Sequence, residues 1–113
     1  MDSLAQSQPC DDECPVKMTA GIIEGKWTTL VIRELLPSKK RYSEIQKALN
    51  GISPKVLTAR LRLLEQQQLV TRTLYPTIPP TTEYELTEIG RKLEKVLDAM
   101  AQFGVELKNK SSS

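Results

Sequence analysis

Residues 53–65 read SPKVLTARLRLLE, and this stretch predicts a helix with a defined start. Ser53 can cap the first backbone N–H groups, and Pro54 suits the first helical turn, where no backbone donor is needed. One face is apolar at helical spacing: Leu57, Leu61 and Leu64, with Val56 beside them. The other face is polar and basic: Lys55, Thr58, Arg60 and Arg62. Such a helix fits a DNA groove, and it is equally typical of a solvated amphipathic surface helix.

The segments around this stretch predict a mainly α fold with a small β-hairpin. Apolar periodicity, prolines and glycines indicate helices at residues 15–24, 27–36, 42–49 and 88–107. A turn at 50–52 that contains Gly51 joins the third helix to the helix at 53–65, which is the helix-turn-helix arrangement. Strands are expected at 69–75 and 82–86, linked by a stiff loop with three prolines. This order predicts a winged helix-turn-helix.

The length of 113 residues indicates one folded domain. Residues 1–13 are polar and acidic and predict a flexible arm, residues 14–107 form the domain, and 108–113 are expected to be a disordered polar tail. The sequence has no apolar run long enough for a membrane span and no visible secretory signal after Met1. A cytoplasmic protein without a membrane partner is the expectation.

Positive charge is concentrated in the middle of the chain. Residues 39–72 contain eight cations and two anions, a net charge of +6, whereas the remainder carries −4. A basic middle between acidic ends is expected of a surface that binds a polyanion, although charge runs also occur on ordinary solvated faces. The lone tryptophan, Trp27, is expected to be a core residue rather than a ligand-stacking one.

Enzymatic chemistry is not expected of this composition. The chain has no histidine and no glycine-rich phosphate loop, which removes the commonest general base and a common cofactor site. Two cysteines without histidine cannot complete a four-ligand zinc site within one chain. We therefore predict a non-enzymatic protein with no cofactor and no metal.

The last predicted helix is longer than so small a core can cover, and its apolar stripe therefore predicts a homodimer. The alternative is that the stripe folds back on its own domain. The residues of the last helix expected at the dimer interface are Leu93, Val96, Leu97, Met100, Phe103 and Leu107.

The chain resembles the HxlR-type transcriptional regulators, a winged-helix family related in shape to the MarR group. The matching runs are CPV at 14–16, GKWT at 25–28, RELL at 33–36, RYSE at 41–44, GISPKVLT at 51–58, LRLLE at 61–65, LV at 69–70 and YELT at 84–87. They span about residues 14–104, nearly the whole folded part. The resemblance implies a cytoplasmic homodimer that regulates transcription, more often by repression, with one recognition helix per subunit in the major groove. It also implies that the first helix joins the last one at the dimer interface, which adds Val16 and Ile23 to the expected interface residues.

If the resemblance holds, a set of residues near the basic helix or in the wing should contact double-stranded DNA. Their side chains are polar, charged or small. They are Lys39, Lys40, Arg41, Ser43, Ser53, Lys55, Thr58, Ala59, Arg62, Tyr75 and Thr77. Thr58 and Ala59 suit a thymine methyl, and Arg62 suits a guanine or a phosphate. Ser53 could cap the helix or contact a phosphate, and capping is favoured. The neutral donors Tyr75 and Thr77 could hydrogen-bond a phosphate.

The sequence departs from the family's pattern in the wing. Family members often carry a basic residue near the end of the proline-rich loop, where this chain has Thr81, and residues 76–82 contain no cation. Strong phosphate or minor-groove contact by the wing tip is therefore not expected. Arg72 could instead pair with Glu83 or Glu85 across the hairpin. The neutral wing also keeps open a second reading, a winged-helix module that binds protein and not DNA.

Cys14 immediately precedes Pro15 at a predicted helix start, where the helix dipole favours a thiolate. Several members of the resembling family sense oxidants or electrophiles through a cysteine at this place. Lys17 would favour ionisation and the acidic cluster at 11–13 would oppose it. Cys10 could resolve a sulfenic acid at Cys14. The alternative is that Cys14 is a small buried hydrophobe with a structural role. A response to an oxidant or a small-molecule effector is therefore one of two hypotheses.

Overall fold

The computed structural model of the protein describes residues 14–112, so the predicted arm, which includes Cys10, and Ser113 lie outside it. The elements in chain order are α1 (Pro15–Ile23), α2 (Lys26–Leu35), β1 (Lys40–Arg41), α3 (Tyr42–Ala48), α4 (Pro54–Gln66), β2 (Val70–Tyr75), β3 (Thr81–Leu86), α5 (Glu88–Arg91) and α6 (Leu93–Ser112). The helices and strands before residue 88 lie within about a residue of the predicted positions. In the described residues, no helix is both long and apolar enough to cross a membrane.

A three-stranded antiparallel sheet in the order β1-β3-β2 forms the wing and its base. The two-residue strand β1 adds to the predicted hairpin because Lys40 pairs with Tyr84. In the hairpin register, Arg72 lies opposite Tyr84 and not opposite Glu83 or Glu85. Neighbouring residues of a strand point to opposite faces, so the register places Arg72 on the face of Tyr84 and away from both carboxylates. The suggested pairing of Arg72 with either glutamate is therefore wrong.

The core forms where α2 and α4 pack on each other and on the sheet. Its fully buried apolar side chains recur at helical spacing: Val31, Ile32 and Leu35 from α2, Leu57, Leu61 and Leu64 from α4, and Ile45 from α3. Trp27 is half-buried against this cluster, as predicted. With the helix-turn-helix and the hairpin around one core, the architecture is a winged helix-turn-helix, and the predicted fold class is confirmed.

Local sequence explains the start of α4 and the turn before it. The Ser53 hydroxyl accepts a hydrogen bond from the Val56 backbone N–H at 3.1 Å, so the predicted cap is present. Gly51 has a φ of +97°, a backbone conformation that side chains disfavour, which explains glycine in this turn. The turn after α4 has no glycine to mark it in the sequence. A non-glycine residue, Gln68, adopts the positive φ of +63° there.

The last helix differs from the prediction at both ends. It is divided into α5 and α6 at Lys92, and the two parts have different packing partners: α5 contacts β3, whereas α6 contacts α2. The Arg91 guanidinium donates to the Leu36 carbonyl at 3.1 Å, whereas Leu93 and Leu97 pack on the core. At the other end, the helix continues to Ser112, so the expected disordered tail at 108–113 is helical over its described residues. Extending an existing helix is favourable, and Lys110 lies in the last turn, where the dipole favours cations.

Gly90 is the residue that allows α5 to approach the sheet. A Cβ built at Gly90 would overlap the backbone carbonyl oxygen of Leu69. That carbonyl accepts from the Thr87 N–H, and the Thr87 hydroxyl donates to the Gln68 carbonyl at 2.8 Å while capping α5. The backbone at residues 68–69 is thereby held and cannot move aside easily.

We expect Gly90→Ala to lower the free energy of unfolding by about 1–3 kcal/mol, because the added methyl overpacks a fixed backbone. Helix propensity alone predicts the opposite sign, a gain of about 0.5–1 kcal/mol. Gly21→Ala in α1 is the matched control, since nothing lies within 4 Å of its Cβ position, and it should be neutral or stabilising. Urea unfolding of both variants measures this, and equal stabilisation by both would contradict the close approach.

Candidate nucleic-acid interface

The outward face of α4 is the strongest candidate for a nucleic-acid interface. Its residues are exposed and share one side of the helix at spacings of three, four and seven: Lys55, Thr58, Ala59 and Arg62. The opposite side, with Leu57, Leu61 and Leu64, is buried in the core. Because the apolar side is held inside, the cations and the small residues at 58 and 59 are presented outward together.

Tyr42 connects α3 to this face of α4. Its hydroxyl donates to the Pro54 carbonyl at 3.2 Å and lies 3.2 Å from the Thr58 hydroxyl. With its own proton on Pro54, the Tyr42 oxygen can accept the Thr58 proton, which turns Thr58 toward α3. Tyr42 therefore positions the first turns of α4.

The three cations before α3 differ in what holds them. The Lys40 ammonium donates to the Glu34 carbonyl at the end of α2 at 3.0 Å and is partly buried. The Lys39 ammonium lies 3.6 Å from the Glu83 carboxylate. The backbone N–H of Arg41 donates to the Glu44 carboxylate at 2.8 Å, and the Arg41 side chain is exposed. The structure therefore presents Arg41 outward, while Lys39 and Lys40 have protein partners.

A cleft of about 230 Å³ lies between the start of α3 and the end of the wing loop. Two predicted DNA-contacting residues, Arg41 and Ser43, line it together with Tyr42. The wing side is lined by Pro80, Thr81 and Thr82. The cleft thus brings Ser43 and the wing together, and Tyr42 links it to the first turn of α4.

The two neutral donors predicted in the wing are already used within it. The Tyr75 hydroxyl donates to the Glu83 carboxylate at 3.2 Å, and the Thr77 hydroxyl donates to the Pro79 carbonyl at 2.8 Å. Each would have to leave its partner in order to donate to a phosphate.

Deeper in the sheet, burial raises the pKa of Tyr84 above its usual value, and the neighbouring Arg72 partly opposes this rise.

The predicted dimer residues fall into two groups. Leu93, Leu97 and Ile23 pack on the core of their own subunit. The others are half-buried or exposed on α1 and along α6: Val16, Val96, Met100, Phe103 and Leu107. Shallow apolar grooves lie on both helices, one lined by Val16 and Ile23 and the other by Met100 and Phe103. The stripe therefore folds back on its own domain only over the first turns of α6.

Cys14 directly precedes α1 and is half-buried. Its carbonyl accepts from the Met18 backbone N–H at 2.9 Å, so the cysteine is joined to the first turn of the helix that carries Val16. Cys10 lies outside the described residues. Within residues 14–112, no group of three or more histidine, cysteine or acidic side chains is arranged to hold a metal ion.

Comparisons with known proteins place the chain in a class. The model of the HxlR-like helix-turn-helix family matches residues 22–112, and the chain belongs to this family. It is 41% identical to an HTH-type transcriptional regulator of Synechocystis sp., over 88% of this chain and 76% of the relative. Helix-turn-helix transcriptional regulators are not enzymes, so the predicted class and the non-enzymatic assignment are both confirmed.

Solved structures agree with this assignment. A MarR-family transcriptional regulator from Porphyromonas gingivalis W83 has a TM-score of 0.81 and 39% identity, covering 88% of this chain and 98% of that chain. The redox regulator HypR in its oxidised form has a TM-score of 0.75 and 38% identity, covering 82% and 96%. The protein is thus a transcriptional regulator of the helix-turn-helix type.

Sequence reasoning missed two residues of this surface. The Tyr42 hydroxyl donates a hydrogen bond to Pro54 of α4. The Glu83 carboxylate forms an ion pair with Lys39 and accepts a hydrogen bond from Tyr75. The RYSE run contained Tyr42, but nothing in the sequence placed its hydroxyl 12 residues away at Pro54. For Glu83, the sequence suggests only a pairing with Arg72.

We expect Tyr42→Phe to lower the free energy of unfolding by about 1 kcal/mol, because it removes the bond to Pro54 and frees the Thr58 hydroxyl. Tyr75→Phe is the matched control, since it removes one solvent-exposed hydroxyl contact and should cost less. Guanidinium unfolding compares the two variants. A loss for Tyr42→Phe no larger than for Tyr75→Phe would show that the link does not hold α4.

Proposed function

We propose that the protein is a homodimeric, sequence-specific DNA-binding regulator that places α4 in the major groove. The observation that carries this proposal is the division of α4 into a buried leucine face and an exposed face with Lys55, Thr58, Ala59 and Arg62. Transcriptional regulators of this family bind DNA and act as dimers. A regulator that binds DNA in this way would act in the cytoplasm.

The roles on α4 follow from side-chain chemistry. Arg62 presents a planar fork that suits a guanine edge or a phosphate, and Lys55 lies in the first turn of α4 as a point charge for a phosphate. Ala59 and the methyl group of Thr58 are small enough to let the helix approach bases and suit a thymine methyl. Ser53 accepts from Val56, which leaves its own hydroxyl proton available for a phosphate. Both roles considered for Ser53 are therefore compatible.

Dimerisation would follow from the apolar surface that one subunit leaves uncovered. Phe103 is 66% exposed and Leu107 is 54% exposed, and with Met100 they continue one stripe along α6. Large apolar side chains in a contiguous stripe favour a partner, and a second copy offers a self-complementary one. Two subunits would present two α4 helices to successive half-sites on one duplex.

Redox control through Cys14 is the third part of the proposal. A hydroperoxide would oxidise the Cys14 thiol to a sulfenic acid and be reduced to an alcohol or water; the Cys10 thiol would then form a disulfide and release water. The Cys14 carbonyl accepts a hydrogen bond from the first turn of α1. Formation of the disulfide would therefore act on a helix of the proposed dimer surface. The likeness to HypR supports it.

We expect Arg62→Ala to weaken binding to a duplex from the protein's own upstream DNA by about 1–3 kcal/mol if Arg62 contacts a base. Fluorescence anisotropy at several salt concentrations measures it. If Arg62 contacts a phosphate, the loss should be similar on random duplex and the slope of log affinity against log salt should fall by about one.

Lys92→Ala is the control for Arg62→Ala, since it removes equal charge from an exposed residue between α5 and α6. It should leave affinity nearly unchanged. Equal effects of the two variants would contradict the assignment of α4. A parent protein that binds no duplex at low salt would favour the protein-interaction reading, to which the neutral wing lends some support.

We expect Phe103→Glu to convert the dimer to monomer, because each interface would then bury two carboxylates in an apolar stripe. Val105→Glu is the matched control: Val105 is 57% exposed, and two residues advance about 200° around the same helix, which places it on the opposite side. Sedimentation velocity distinguishes the masses. A monomeric parent, or dissociation by both variants, would count against the α6 stripe.

We expect mild peroxide to change the DNA affinity of the parent and to leave that of Cys14→Ser unaltered, because only the parent retains the reacting thiol. Anisotropy before and after oxidation, with and without dithiothreitol, measures the response. Cys10→Ser should still react once but should form no intramolecular disulfide. A response of Cys14→Ser equal to that of the parent would remove Cys14 as the sensor.

A further inference from the structure

The C-terminal end of α2 accepts hydrogen bonds from two cations that come from distant parts of the chain. The Lys40 ammonium in β1 donates to the Glu34 carbonyl at 3.0 Å, and the Arg91 guanidinium in α5 donates to the Leu36 carbonyl at 3.1 Å. The last carbonyls of a helix have no partner within the helix, so they can accept such bonds. The end of α2 therefore joins β1 to α5.

The Lys40 bond leads toward the proposed DNA-binding surface. Arg41, the next residue, lines the cleft with Ser43, and Tyr42 donates to the Pro54 carbonyl at the start of α4. Because these residues follow one another, the segment that begins at Lys40 connects the end of α2 to the first turn of α4.

The Arg91 bond leads toward α6. Arg91 is the last residue of α5, and α6 begins two residues later. Between them, Lys92 keeps a near-helical φ of −66° and ψ of −16°, so no loop separates the two helices. Leu93 and Leu97 hold α6 on the core by apolar contact, which favours no particular direction. The Arg91 bond is directional, and it lies just before the start of α6.

A small change at the start of α6 is enlarged along its length. The 20 residues of α6 extend about 30 Å, so a rotation of about 10° at its start moves its far end by about 5 Å. Phe103 and Leu107, on which the proposed dimer depends, lie in this outer half. In a dimer, such a rotation would move each α4 relative to its partner by a distance comparable with the rise of one base pair, about 3.4 Å.

We propose that Arg91 is a positioning residue: its bond to the end of α2 fixes α6 on the domain and thereby sets the half-site spacing that a dimer of this chain binds. The inference rests on the proposed function, because it requires two copies joined along α6 and one α4 in each half-site. Arg91 touches no DNA in this role. Its loss should therefore alter the spacing preference and leave the contacts of each α4 intact.

The spacing preference is measured on a duplex that the parent selects from a random-sequence library, with one base pair then inserted or removed between its half-sites. Each such change turns one half-site by about 35° and moves it by about 3.4 Å. The parent should lose affinity at both altered spacings. We expect Arg91→Met, which keeps a long side chain and removes its donors, to reduce this preference about three- to tenfold. Fluorescence anisotropy gives the affinities.

Arg91→Lys is the conservative variant, and it should restore the preference because an ammonium can donate to a carbonyl at a helix end, as Lys40 does. Lys92→Met is the matched control, since it removes equal charge from the neighbouring exposed residue and should keep the preference of the parent. Sedimentation velocity should show all three variants as dimers. Their affinity for a duplex with a single half-site should equal that of the parent.

A dimeric parent without a spacing preference, or an Arg91→Met variant that keeps the parent's preference, would overturn this inference alone. Equal effects of Arg91→Met and Lys92→Met would also overturn it, since charge and not the bond would then be responsible, and so would a monomeric Arg91→Met. A lower salt dependence of Arg91→Met on every duplex would place Arg91 on a phosphate and overturn it as well. Absence of duplex binding by the parent, or a monomeric parent, would overturn the proposed function and this inference together.

Discussion

The burial of three leucines on α4 determines the surface that this protein presents. Leu57, Leu61 and Leu64 are at most 1% exposed and pack with α2 in the core. A helix with one side held in this way has no freedom to rotate, so the opposite side is fixed as well. The outward direction of Arg62 is therefore a consequence of core packing.

Charge in the basic middle of the chain is distributed less evenly than the sequence indicates. The Lys40 ammonium satisfies a carbonyl at the end of α2, and Lys39 faces Glu83. Cations near the end of a helix stabilise its unpaired carbonyls, so Lys40 has a structural role. The positive charge that remains outward is centred on α4 and Arg41, beside a wing without cations at its tip.

The last helix connects the folding of one subunit to its proposed assembly. Leu93 and Leu97 complete the core, whereas Phe103 and Leu107 continue the same stripe beyond it. The 20 residues of α6 extend about 30 Å, more than this core can cover. Before it, Gly90 brings α5 against the backbone of Leu69, and α6 begins after Lys92.

The sequence by itself determined the order of helices and strands, the core face of α4, the Ser53 cap and the family, because these depend on periodicity and on contacts within a few residues. Only the tertiary structure decided which polar groups remain available. Tyr42 reaches Thr58 across 16 residues, and Arg72 faces Tyr84 instead of a carboxylate. Strand register and contacts between helices depend on packing in three dimensions, and spacing along the chain does not specify them.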